Sequence, residues 1–145
     1  MAHPRVRLGI LFLFGIGSIV GCARSAGGEG SPLGDTHWRL VELNGRPAVP
    51  TEGEREAHLR FSDDSARVGG STGCNRLTGP FTREGATLRF GPAVTTKMAC
   101  LDPRLNEQEQ AFVGALQSTQ RYEIAADTLT LIGAAGPVAR LEARR

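Results

Sequence analysis

From Thr36 onward, apolar residues recur at alternate positions in short runs. Trp38 and Leu40, Leu59 and Phe61, Leu77 and Phe81 on either side of Gly79, Leu88 and Phe90, Tyr122 and Ile124, and Leu129 and Leu131 keep this rhythm. Each pair faces one way from an extended segment and leaves arginine, threonine or glutamate facing the other, which predicts half-buried β-strands. The joints are equally visible. "SDDS" at 62–65, "REG" at 83–85 and "AAD" at 125–127 are short enough for hairpin turns, and "GAAGP" at 133–137 suits a looser one.

One stretch breaks the alternation. In "LDPRLNEQEQAFVGALQS", at 101–118, Asp102 can cap a helix with Pro103 at its first position, and Leu105, Phe112, Ala115 and Leu116 form an apolar stripe at helical spacing. Glu107, Glu109 and Gln110 fall on the other face. The pattern predicts an α+β fold: an antiparallel, strongly curved β-sheet or partly open barrel of about 7–8 strands, with one α-helix over its mouth or edge. Closing or covering the sheet hides edges that would otherwise recruit other strands.

The first residues follow a different logic. Arg5 and Arg7 precede an uncharged run from Leu8 to Val20. That run is shorter than the roughly 20 apolar residues a membrane-spanning helix needs, and it fits the apolar region of a secretory signal. It ends in Ile19-Val20-Gly21-Cys22, which resembles the bacterial lipobox. The resemblance implies a lipoprotein signal peptide over 1–21, a diacylglyceryl group on the Cys22 thiol and further acylation, of the palmitate kind, at the new amine. Two or more acyl chains anchor stably, at about 0.8 kcal/mol per buried methylene. Residues 22–34 have the composition of a flexible Gly/Ser-rich tether, and 35–145 are left for a single domain. The expected location is therefore exported and membrane-anchored by lipid. Ala23 stands where aspartate would often signal inner-membrane retention, which favours the outer membrane, facing the periplasm, in a Gram-negative host.

Charge removes one class of partner. Arg5 and Arg7 account for the formal net charge of +2, and the rest of the chain balances at 15 basic and 15 acidic side chains. Nucleic-acid binding has no electrostatic footprint here. Lys97 is the only lysine, a lone ammonium beside Cys100 that could contact an acidic partner.

Cysteine arithmetic changes the picture more. With Cys22 lipidated, Cys74 and Cys100 remain in an oxidising compartment, where a disulfide between them is the simplest outcome. A thiol nucleophile paired with His37 or His58 is the weaker alternative. "GGSTG" at 69–73 satisfies the Gly-x-Ser-x-Gly pattern around Ser71, but a nucleophile elbow needs a following helix and a later histidine, so a glycine-rich bend between strands is the better reading. No metal is expected: the cysteines and histidines lack the close pairing of zinc sites, and Asp63 and Asp64 read as turn residues without further calcium ligands. No cofactor is implied.

The blocks "WRLVELNG" (38–45), "GGSTGCNRLTGPF" (69–81), "TTKMACLDPRLNEQEQAFVGAL" (95–116) and "YEIAADTLTLIG" (122–133) together resemble the META domain, or HslJ-like, family. The resemblance implies a compact β-rich domain with one helix, carried on envelope lipoproteins linked to stress and antibiotic tolerance, in a family with no established catalytic activity. It places Cys74, Asn75 and Cys100 on the family's cysteine blocks, and Trp38, Leu40, Gly79, Phe112 and Leu116 on structural positions. Phe81 departs from it, standing where an aromatic hydroxyl is common, and 46–57 has no clear counterpart. The expected function is a non-enzymatic, lipid-anchored envelope interaction module. It would be a monomer that meets an unknown envelope protein or component through surfaces that include Lys97 and Asn75. The competing expectation is a carrier or sensor of a small apolar ligand held inside the sheet by residues such as Leu59, Phe61, Leu88 and Phe90.

Overall fold

A computed structural model describes residues 30–51 and 53–144. The signal segment 1–21 and the lipidation site Cys22 lie outside the described residues. Chain order runs β1 (His37–Leu43), β2 (Arg46–Pro47), β3 (His58–Ser62), β4 (Arg67–Ser71), β5 (Arg76–Glu84), β6 (Thr87–Phe90), β7 (Val94–Thr95), α1 (Pro103–Ser118), β8 (Arg121–Ala125), β9 (Thr128–Gly133) and β10 (Gly136–Arg144). Neighbours follow the order β10-β9-β8-β6-β5-β4-β3-β1, every pairing is antiparallel, and β1 returns to β10. The curved sheet expected from the apolar alternation is present, and its closure is complete: eight strands make a barrel, with β2 attached to β1 and β7 to β5.

Alternation explains the interior. Trp38, Leu59, Leu88, Leu129, Leu131 and Leu141 are fully buried, and Phe112, Ala115 and Leu116 of α1 complete the same core. A bulge at Val41 sets Leu40 opposite Leu141 and Glu42 opposite Arg140, so Leu40 and Leu43, three residues apart, both turn inward. An eight-stranded barrel is just wide enough for side chains to fill it. Phe61 meets Phe81 edge-on at 5.3 Å between ring centroids and Phe90 at 5.9 Å. Of the positions expected to line a ligand cavity, Leu59, Phe61 and Leu88 are buried in this packing and Phe90 is half-buried against it.

Several local features differ from the pattern expected of the chain. Of the glycine-rich stretch 69–73 expected as a bend between strands, residues 69–71 end strand β4 and the bend itself begins only at Thr72. The only apolar inward residue of β4 is Val68, so the period could not show. The tether composition extends to Gly34, yet Leu33 is buried and its carbonyl accepts the Trp38 indole N–H at 3.0 Å. Ser31 N–H donates to the Ala126 carbonyl at 3.0 Å, so these last residues are docked on the domain. The joint at 133–137 is tight, because Gly133 pairs with Gly136. Asn44-Gly45, with φ of 49° and 76°, forms the β1–β2 hairpin turn, an Asn-Gly signal that the alternation alone did not use.

Residues 46–51 and 53–57, for which the family resemblance offered no clear counterpart, form a strap between α1 and the seam of the barrel. Val49 N–H donates to the Gln108 side-chain oxygen of α1 at 2.6 Å. At the other end, the Glu56 carboxylate gathers Arg39 of β1 at 3.7 Å and Arg144 of β10, and faces the His37 imidazole at 3.4 Å. One carboxylate thus ties both seam strands to the strap.

Gly70 leaves no room for a side chain: a Cβ there would lie 2.0 Å from the His58 carbonyl oxygen. We expect Gly70→Ala to cost about 1–3 kcal/mol, the usual penalty of overpacking. Gly114→Ala, on an exposed helical position with nothing within 4 Å, should stabilise by about 0.5–1 kcal/mol. Urea midpoints of the two variants, moving in opposite directions, check this.

Candidate functional site

The turn between β4 and β5 is built to hold another segment in place. Thr72 N–H donates to the Asn75 carbonyl at 2.8 Å, and Asn75 N–H donates to the Thr72 hydroxyl oxygen at 3.1 Å. Helix α1 braces the turn from behind. Gln108 donates its amide to the Thr72 carbonyl at 2.9 Å, and the Thr72 hydroxyl donates to the Glu109 carboxylate at 2.8 Å. Gln108 is therefore a buried polar strut on the core side of the helix, and Glu109, assigned by spacing to the solvent face, is half-buried against the turn.

From this platform the Asn75 side chain fixes the stretch after β7. Its carbonyl oxygen accepts from the Thr96 hydroxyl and from Met98 N–H, each at 2.8 Å, and its amide donates to the Met98 carbonyl at 3.4 Å. Thr96 N–H adds a bond to the Arg76 carbonyl at 3.0 Å. Cys74 and Cys100 are joined as a disulfide, with Cα atoms 5.9 Å apart. A segment with little regular structure, 94–101, is thus pinned at its strand, its middle and its end. Asn75 is only 3 % exposed, and its amide is committed to this bracing; of the two residues expected to touch a partner, Lys97 alone is presented outward.

The segment presents an unusual surface. Val94 is 66 % exposed, Met98 62 % and Leu101 completely, and these are the exposed large apolar residues among the described residues. They flank Lys97. The next cation, Arg104, is held by Asp102, whose carboxylate lies 2.7 Å from the guanidinium. That contact holds the Asp102 carboxyl below its ordinary range. Asp102 also caps α1 as the sequence indicates, accepting from Arg104 N–H at 2.9 Å.

The other residues considered for chemistry lie apart from this surface. The Ser71 hydroxyl oxygen accepts from Gly73 N–H at 3.1 Å, and strand β5, not a helix, follows its turn. His37 and His58 stack on the outer wall with ring centroids 4.2 Å apart. Asp63 receives Arg83 at 3.1 Å in its turn. Among the described residues, no group of three or more His, Cys, Asp or Glu side chains could hold a metal ion. No described helix is long and apolar enough to cross a membrane.

The META domain family model matches residues 31–145. Among solved structures, the chain resembles one NMR structure with a TM-score of 0.60 at 23 % identity, over 74 % of this chain and 87 % of that one. It also resembles the NMR structure of a protein from Burkholderia xenovorans with a TM-score of 0.60 at 24 % identity, over 77 % and 83 % of the two chains. At these identities the likeness is one of fold. No curated protein matches the chain.

Two outcomes follow from the site and its surroundings. Replacing Cys74 and Cys100 by serine should cost about 3–4 kcal/mol in urea unfolding, the chain-entropy value for a cross-link across a separation of 26 residues. Asn75 should still hold the Met98 amide in that variant, and Cys74→Ser/Cys100→Ser/Asn75→Ala should release it, read as amide exchange at Met98. The second outcome concerns pH. Burial holds His37 below its ordinary pKa of 6.5, with His58 and Arg60 adding to the effect and Glu56 opposing it. The folded state therefore prefers the neutral ring while the unfolded chain still takes up a proton near 6.5. Stability from this group is complete above 6.5 and declines as pH falls from there toward the lower folded value. The urea midpoint should fall on acidification through this window, and less steeply in His37→Gln.

Proposed function

The chain belongs to the META domain family, and we propose that it is a non-catalytic, lipid-anchored module of the bacterial envelope that engages an envelope protein through segment 94–101. One observation carries the reading: Val94, Met98 and Leu101 are held outward around Lys97 on a stretch braced by a disulfide and by the buried Asn75. Contiguous exposed apolar patches mark interaction sites, and these three exposed side chains lie within one braced segment of eight residues. A segment already fixed in shape loses little conformational freedom on binding, so more of the contact energy appears as affinity.

The remaining features are consistent with such a role. Cys74 and Cys100 are consumed by each other, and the Ser71 hydroxyl oxygen is engaged by backbone. Ile19-Val20-Gly21-Cys22 supplies the anchor by its resemblance to a lipobox, with residues 23–30 between it and the domain. The biological output would be tolerance of envelope stress or of antibiotics, exerted from the periplasmic face of the outer membrane in a Gram-negative host.

A deletion strain complemented in trans tests this. Val94→Ser/Met98→Ser/Leu101→Ser alters only exposed positions, so it should keep its unfolding midpoint and yet fail to restore tolerance. Cys22→Ser should fail equally and should lose palmitate labelling. Full rescue by the folded triple-serine variant would overturn the reading.

A further inference from the structure

The outer wall of β3, β4 and β5 carries a second feature, adjoining segment 94–101 where Arg76 N–H donates to the Thr96 hydroxyl oxygen at 3.1 Å. A cleft of about 340 Å³ opens there, lined by His37, His58, Arg60, Ser71 and Arg76 with backbone of Gly53 and Gly70. Register brings these side chains together. His58 pairs with Ser71, and Ser71 pairs with Arg76, so the three lie side by side across neighbouring strands spaced about 4.8 Å apart. Arg60 is two residues from His58 and points to the same side of β3.

The hydrogen bonds define what the cleft offers. Arg60 Nε–H donates to His37 Nδ1 at 3.2 Å, which leaves the neutral His37 ring with its proton on Nε2. That nitrogen is buried without a hydrogen-bond partner, and the Glu56 carboxylate lies 3.4 Å away. His58 Nδ1 lies 2.7 Å from the Glu56 carbonyl, to which it donates. Since Ser71 Oγ accepts from Gly73 N–H, its own proton remains to be donated. Arg60 and Arg76 enter none of the ion pairs among the described residues, whereas Glu56, beside the cleft, already serves Arg39 and Arg144. Two guanidiniums outside those ion pairs and a hydroxyl donor therefore converge on one concavity, beside two imidazoles whose N–H groups are turned toward Glu56.

We propose that this cleft is a binding site for a dianionic oxyanion, a phosphoryl group carried by a small molecule or a lipid headgroup. Guanidinium forks match the oxygens of phosphate in shape as well as charge, and a dianion balances the two arginines. The Ser71 hydroxyl, lying between His58 and Arg76, donates a third bond. Recognition rests on the two guanidiniums and the serine hydroxyl, and it needs none of the exposed apolar side chains of segment 94–101.

Titration of the full chain with inorganic phosphate, followed by the amide resonances of Gly70 and Ser71 and the ring resonances of both histidines, tests it. Binding should saturate, and Arg76→Gln should weaken it about tenfold, as expected for the loss of charge-assisted hydrogen bonds. Arg76 is exposed, so the variant should unfold at the wild-type midpoint. Arg89→Gln, exposed on β6, should bind as wild type. A second readout is the His37 titration. His37 faces His58 and Arg60 of β3 and Glu56 of the strap, whose carboxylate also holds Arg39 of β1 and Arg144 of β10. A bound dianion should raise its midpoint in wild type and not in Arg76→Gln. Vesicles of phosphatidic acid in phosphatidylcholine separate the sources: attachment that Arg76→Gln removes, stronger than binding of inorganic phosphate, assigns a lipid headgroup, and binding of inorganic phosphate alone assigns a soluble ligand. No saturable response to either probe, or equal weakening by Arg89→Gln, would overturn the site.

Discussion

β1 and β10, the first and last strands, run antiparallel from His37 opposite Arg144 to Leu43 opposite Ala139, and this ladder turns a sheet into a barrel. Bringing together segments so far apart in sequence carries a loop-closure cost, but that cost grows only slowly with length. Against it stands burial of the whole inner face, which contributes about 25 cal/mol per Å² of apolar surface. The ladder also has its own lock: Glu56 draws Arg39, Arg144 and His37 to one point at the end of the seam.

Closure decides where chemistry can reside. Once Trp38, Phe61 and Phe112 occupy the interior together with the leucines of the strands, the polar and charged groups that could act on other molecules are those on the outer wall and the loops. Two such regions are specifically organised. Segment 94–101 gains its shape from residues buried beneath it, with Gln108 and Glu109 holding Thr72, Thr72 pairing with Asn75, and Asn75 holding Met98. The cleft on β3–β5 gains its shape from strand register instead, so its side chains are positioned by the barrel itself.

Period-two spacing made most strands legible because a half-buried strand must alternate, and Asp102-Pro103 announced the helix through its cap. Strands β4 and β10 were harder to see for a physical reason. In β4 the inward residues are Val68 and a glycine, and in β10 a bulge at Val138 interrupts the alternation between Pro137 and Ala139. The cysteine count pointed to the joined pair, and Lys97 was visible as an isolated cation. The convergence of His37, His58, Arg60, Ser71 and Arg76 depends on which strands pair and in what register, so no local pattern in the chain could reveal it. Asn75 shows the opposite error: it was expected to touch a partner, whereas it is buried and its side chain holds Thr96 and Met98 in place.

Amide hydrogen exchange across the seam probes the central claim, that the barrel is closed and filled and works through its exterior. The amides bonded between β1 and β10 should exchange as slowly as those between β9 and β10, around Leu129 and Leu131. Fast exchange confined to the β1–β10 ladder, with β4 and β5 still protected, would mean an open seam and an accessible interior, and would contradict the account.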